Sequence, residues 1–170
     1  MSSIQNLITT CRHIVSHFRY SPLATARLKV IQIRIKLPAN KLIQDVATRW
    51  NYTLEMMIRL VEQKQAILQY ESEYPLEESL TPTQWRLMTK VIDVLDIFKV
   101  ATLQISEANS LLSEILPTVK SLKKSILVAC ESDDAGVKTL KQQLLSSLER
   151  RFKEHKDEEK LLLATAVDPR

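Results

Sequence analysis

One glycine among 170 residues limits what this chain can fold into, since soluble domains ordinarily carry about 7%. Glycine is the residue that takes positive φ without a steric penalty. Two-residue β-hairpin turns and phosphate-cradling loops both depend on it. A chain without it is confined to helices joined by other loops, and P-loop or dinucleotide chemistry is excluded. The hydrophobic share of 45% is enough to bury a core, so the expected class is all-α, a multi-helix bundle.

The apolar spacing agrees with this. Ile4, Leu7, Ile8, Cys11, Val15 and Phe18 form one helical stripe over 3–19. Ser21-Pro22 reads as a cap followed by proline at the first helical position. That starts a second helix over 22–36, although "VIQIRIK" alternates as a strand would. Pro38 and Asn40 end it, and an extended "KLIQDVA" delivers the chain to Thr48-Arg49-Trp50. A third helix is expected from Trp50 to Tyr70, with Leu54, Met57, Ile58, Val61 and Leu68 near one face.

After the polar connector "SEYPLEESLTP", Thr81-Pro82-Thr83-Gln84 reads as a capping box. It opens a helix marked by Trp85, Met88, Val91, Ile92, Leu95, Phe98 and Thr102 to about Ser106, with Trp85 as a core residue. A fifth helix covers 111–130, with Pro117 in its first turn if Ser113 is the cap. "ESDDAG" is a loop, Val137, Leu140, Leu144, Leu148 and Phe152 mark a sixth helix closed by "RRFKEHKDEEK", and "LLLATAV" begins another element. Residues 1–170 are read as a single helical domain or fragment. Its parts are a basic lead-in (1–44), an Arg-Trp motif (45–55), a helical bundle (56–160) and an apolar segment (161–170). An ending on "DPR" directly after an apolar run suggests a longer parent protein.

The net charge of +4 is unevenly placed. Residues 1–44 hold Arg12, Arg19, Arg27, Lys29, Arg34, Lys36 and Lys41 and no acidic side chain, so every carboxylate lies beyond them. Joined to Arg49, this stretch is a candidate electropositive face. The plainer alternative is a solvated surface whose counter-charges come from elsewhere in the fold.

Catalytic and metal chemistry find little footing. His13 and His17 share a helix face, but Cys11 lies about 200° round the helix from His13. No other Cys or His cluster completes a tetrahedron, so no metal site is assigned. There is no GxSxG elbow, and the carboxylate pairs sit in hydrophilic connectors where they stay solvated. No catalytic residue and no cofactor is assigned. Cys11 and Cys130 without CxxC spacing suit a reducing compartment, no run is long and apolar enough for a membrane span, and the first residues lack a signal-peptide layout. The expected location is nuclear or cytoplasmic.

The stretch "LIQDVATRWNYTLEMMIRLVEQ" resembles the D-V-x-T-R-W-N-S-T-x-x-M-L-x-R-L segment of hAT-superfamily DNA transposases. It is most similar to the domesticated relatives that carry zinc-finger BED domains. Three further stretches agree in order: "CRHIVSHFRYSPLATARL", "LTPTQWRLMTKVIDVLDIFKVATLQIS" and "LLLATAVDPR". The last is similar to the family's A-T-x-L-D-P-R motif, and the likeness runs through essentially the whole chain.

The resemblance implies the all-helical insertion of a ribonuclease-H-like transposase domain. The family's three metal-binding carboxylates, its BED finger and its dimerisation segment would then lie outside this chain, and Asp45 would not be one of the catalytic acids. The chain is expected not to be an enzyme. In active members the Arg-Trp pair contacts DNA near the cleaved end and the Trp stacks on a displaced base, which puts Arg49 and Trp50 in that role. Tyr52 departs from the usual Ser, and Ala47 from a frequent Pro.

The expected function is that of a non-catalytic segment of a domesticated, nuclear protein in DNA binding or transcription regulation. The alternatives are a scaffold that binds partner proteins or the rest of its own chain, and a part of an active transposase. The candidate DNA-binding residues are Arg49, Trp50, Thr48, Arg12, Arg19, Arg27, Lys29 and Arg34; no membrane contact is expected. Residue type alone sets a different expectation for Trp50, since a Trp in the first turn of an amphipathic helix is most often a packing anchor.

Overall fold

The computed structural model describes residues 3–107, 111–128, 134–152 and 159–168. These residues form α-helices without a strand, as the glycine count dictates. They gather into two compact units, 1–92 and 93–170, where the sequence was read as one domain. Each unit is described by itself.

The first unit holds α1 (Ser3–Tyr20), α2 (Pro22–Arg34), α3 (Trp50–Glu62), α4 (Lys64–Glu73) and the start of α5 (Pro82–Ser106). α1 buries Leu7, Cys11, Ile14, Val15 and Phe18, the stripe its periodicity marks. Its neighbours are α2 and α3, and α4 packs on α2 and α3. Leu54, Met57 and Leu60 from α3 and Ile67 from α4 are fully buried, each worth about 1.5–3 kcal/mol of transfer free energy. Ser21 caps α2 by accepting from the Ala24 N–H at 3.1 Å, with Pro22 at the first helical position. Thr81 and Gln84 close a reciprocal capping box at the head of α5, and Trp85 behind it is 3% exposed.

One expectation in this unit needs correction. The helix expected from Trp50 to Tyr70 breaks at Gln63 into α3 and α4. Gln63 is fully buried, and its side chain bonds Pro38, Glu62 and Gln32. The break re-phases the apolar stripe, so α4 buries Ala66, Ile67 and Tyr70 and leaves Leu68 exposed.

The strand-like alternation of "VIQIRIK" belongs to a helix with two apolar faces. Ile31 and Gln32 point inward, while Val30 and Ile33 are exposed. α2 then ends without glycine. Lys36 takes φ 59, the Lys36 N–H reaches the Ile33 carbonyl at 3.1 Å, and the Leu37 N–H reaches the Gln32 carbonyl at 2.9 Å. This is a Schellman ending with lysine where glycine is usual.

In the second unit a 3-10 turn (Leu112–Glu114) leads into α6 (Ile115–Val128), followed by α7 (Ala135–Phe152) and α8 (Glu159–Val167). Ser113 is not the cap of α6; the Glu114 carboxylate accepts from the Leu111 N–H at 3.2 Å instead. Ser113 is buried and its hydroxyl donates to Asp168 at 2.5 Å, tying the residue that follows α8 to the turn. Pro117 lies in the first turn of α6, where a missing N–H costs no intrahelical bond. Of the expected loop "ESDDAG" (131–136), residues 131–133 lie outside the described residues, as do Cys130 and most of the charged run, 153–158; Ala135 and Gly136 belong instead to the first turn of α7.

Candidate nucleic-acid interface

The connector from Leu37 to Arg49 has no regular structure, yet it is held along its length. Buried Gln32 donates to the Asn40 carbonyl at 2.9 Å and to Gln63 Oε1 at 2.8 Å. Gln63 donates to the Pro38 carbonyl at 3.1 Å, and Arg59 on α3 donates to the Lys41 carbonyl at 2.7 Å. At the far end Asp45 is the anchor. Its side chain is 3% exposed, and one oxygen accepts from Arg12 Nε at 2.9 Å, Arg12 NH2 at 2.7 Å and Thr53 Oγ1 at 3.1 Å. Burial works against the charge on Asp45. The hydrogen bonds from Arg12 and Thr53, helped by the Arg12 charge, outweigh it and hold the carboxyl below its ordinary value. The same hydrogen bond raises Arg12. Asp45 thus ties α1, the connector and α3 together.

Immediately beyond this anchor the chain makes a tight turn, closed by the Arg49 N–H on the Val46 carbonyl at 2.8 Å. Arg49 is extended (φ −128, ψ 100) and stands as the N-cap of α3, with no side chain capping that end and no acidic residue in its first turn. Trp50 then occupies the first helical position at 40% exposure, and Tyr52 is 41% exposed. The Arg49 guanidinium lies over the Tyr52 ring, 5.8 Å from its centroid. Thr48 and Arg49 are exposed as well. Trp50 is therefore not the packing anchor its residue type suggests. Leu54 and Met57, facing inward, anchor α3 and leave the indole outside.

The other residues marked from the sequence divide into two groups. Arg12 is spent on Asp45, Arg34 pairs with Glu73, and the Arg27 guanidinium sits 4.1 Å from the centre of the Tyr74 ring. Counter-groups from later in the chain thus answer three cations of the acid-free stretch. Arg19 and Lys29 remain exposed and share one groove with Lys41. The histidines of "CRHIVSH" turn to separate partners, His13 to Glu78 and His17 to the Tyr70 hydroxyl. Cys11 is core, and burial pushes its thiol up to about 12.

Sequence reading missed the part played by Tyr52 and Asp45. Tyr52 was noted only as a departure from serine, and its i+3 spacing from Arg49 was the signal that the two share one surface.

An all-helical domain that carries D-V-x-T-R-W at the entry to a helix defines a class, the BED-type proteins derived from hAT transposases. Residues 1–94, more than half of the chain, match the family model described as the ZBED1 RNase-like helical domain, and the chain belongs to that family. It is 31% identical over 167 residues to zinc finger BED domain-containing protein 4 of Homo sapiens, covering 98% of this chain and 14% of that protein. It is 32% identical over 128 residues to zinc finger BED domain-containing protein 6 of Homo sapiens and of Mus musculus, covering 73% of this chain and 13% of each relative. The chain thus spans about one seventh of the length of these relatives. No solved structure matches it. Among the described residues, no helix is long and apolar enough to cross a membrane.

Proposed function

We propose that this chain is the non-catalytic helical segment of a domesticated, nuclear hAT-derived protein, and that it holds unpaired or distorted DNA on the Thr48-Arg49-Trp50 turn in a DNA-binding or transcription-regulating role. The observation that carries the reading is an indole 40% exposed at the head of α3, beside an arginine that enters no ion pair among the described residues. A turn pinned by Asp45 pre-orders both. An open indole face stacked on an unpaired base contributes about 1–3 kcal/mol. A guanidinium holds phosphate through paired N–H donors, and an uncapped helix start adds its positive dipole end. Tyr52 offers a second ring on the same surface. Asp45 is committed to Arg12 and Thr53, so in this reading it anchors the turn.

The test is fluorescence anisotropy of labelled single-stranded and branched DNA with the 170-residue chain over a range of salt. Affinity should fall linearly on a logarithmic salt scale, and Trp50→Ala should weaken it about 5- to 150-fold, the equivalent of the stacking term. Affinity that ignores salt, or is indifferent to both Trp50→Ala and Arg49→Ala, overturns the reading. A second reading, an interaction scaffold, is favoured by one observation: Leu23, Val30 and Ile33 lie exposed along α2.

A further inference from the structure

The two faces of α2 have different fates. Ala24, Leu28, Ile31 and Gln32 are buried. Leu23, Ala26, Val30 and Ile33 lie on the opposite face, and the three large ones are 58%, 63% and 61% exposed. Their spacing of three, four and three residues is that of the a and d positions of a coiled-coil seam. The helical positions bordering such a seam are then 27 and 34 on one side and 29 on the other. They are Arg27, Arg34 and Lys29, with no acidic residue anywhere on the helix; Lys36 adds its charge from the left-handed turn just past the helix end.

The Arg27 and Arg34 border leans on α4 through Tyr74 and Glu73. The other border opens onto a groove of about 560 Å³ between α1, α2 and the connector. Arg19 and Lys41 join Lys29 there over Val15, Phe18 and Leu28, and no carboxylate lines it. None of Arg19, Lys29, Lys36 and Lys41 enters an ion pair among the described residues.

We propose that this face of α2 docks an amphipathic helix of a partner protein, one whose apolar seam is bordered by Asp and Glu. Helix-in-groove recognition reads apolar anchors at these spacings, and the borders set partner choice by charge. A second copy of α2 would place cation against cation along both borders. A nucleic acid would meet the cations but leave three large aliphatic side chains in water. The inference is independent of the Trp50 surface.

The experiment titrates the 170-residue chain against two labelled synthetic helices of about three heptads. Both carry leucine at the seam; one has Glu and the other Lys at the borders. The Glu helix should bind at least tenfold tighter than the Lys helix. Val30→Asp with Ile33→Asp should cost at least tenfold, and circular dichroism should show the helix content retained because both sites are exposed. Lys29→Glu with Lys41→Glu, a surface change, should invert the preference between the two helices, and Trp50→Ala should leave it unaltered.

Equal binding of the two helices, binding of neither, or indifference to Val30→Asp with Ile33→Asp overturns the proposal. Three other outcomes reassign the face and also overturn it. These are self-association of the chain, binding to oligo-thymidine, or partition onto phosphatidylserine vesicles, each abolished by Val30→Asp with Ile33→Asp.

Discussion

Asp45→Ala is the perturbation that probes the anchor of the Arg-Trp turn. The side chain is 3% exposed and accepts two N–H groups of Arg12 and the Thr53 hydroxyl. Removing one partner of a fully buried pair costs about 3–5 kcal/mol. Here the released Arg12 guanidinium is 35% exposed and regains water, which reduces the loss. Thr53 is half-buried and recovers part of its solvation too. About 2–3 kcal/mol should remain. Buried Trp85 lies in the same unit, so its fluorescence in a urea titration reports the transition, and the midpoint should fall by about 1 M.

The pH dependence gives a second handle. Asp45 is held below its ordinary value of 3.8, so its contribution is present in full above that value. It is lost as the pH falls through the lower, folded-state value. The stability gap between the native chain and Asp45→Ala should therefore be wide at neutral pH and close under strongly acidic conditions. A midpoint unchanged by the substitution, or a gap that stays constant into acid, refutes the reasoning.

Two further substitutions test the frame that positions the site. Lys36→Gly relieves a left-handed lysine, which costs about 1–2 kcal/mol; part of the gain is offset by glycine's unfolded-state entropy. The melting midpoint should still rise, by an amount equivalent to about 0.5–1 kcal/mol. Gln63→Leu leaves the buried Gln32 amide and the Pro38 carbonyl short of partners and should cost about 1–3 kcal/mol in urea unfolding. A neutral result would mean that this amide pair does not order the connector.

The helix inventory was legible because it rests on local rules. One glycine excluded hairpins, the Ser21-Pro22 and Thr81–Gln84 caps marked two helix starts where the structure has them, and the α1 stripe is the stripe that is buried. Four features were not legible, each decided by tertiary contacts. The break at Gln63 comes from hydrogen bonds to residues 25 and 31 positions away, which no local pattern announces. The two-faced apolar content of α2 imitates a strand because periodicity alone does not tell an exposed second face from a pleat.

The fate of the basic residues depended on partners far along the chain, Asp45, Glu73 and Tyr74. Charge counting could not assign these. The same holds for Trp50, since residue type favours burial and only the inward turn of Leu54 and Met57 leaves the indole outside.

Collisional quenching of Trp50 reads the interface itself. In a Trp85→Phe background Trp50 is the sole indole, and acrylamide should quench it readily in the free chain. Adding single-stranded DNA at low salt should shield it, and raising the salt should restore the quenching. An indole already shielded in the free chain, or one that DNA leaves unchanged, contradicts the account.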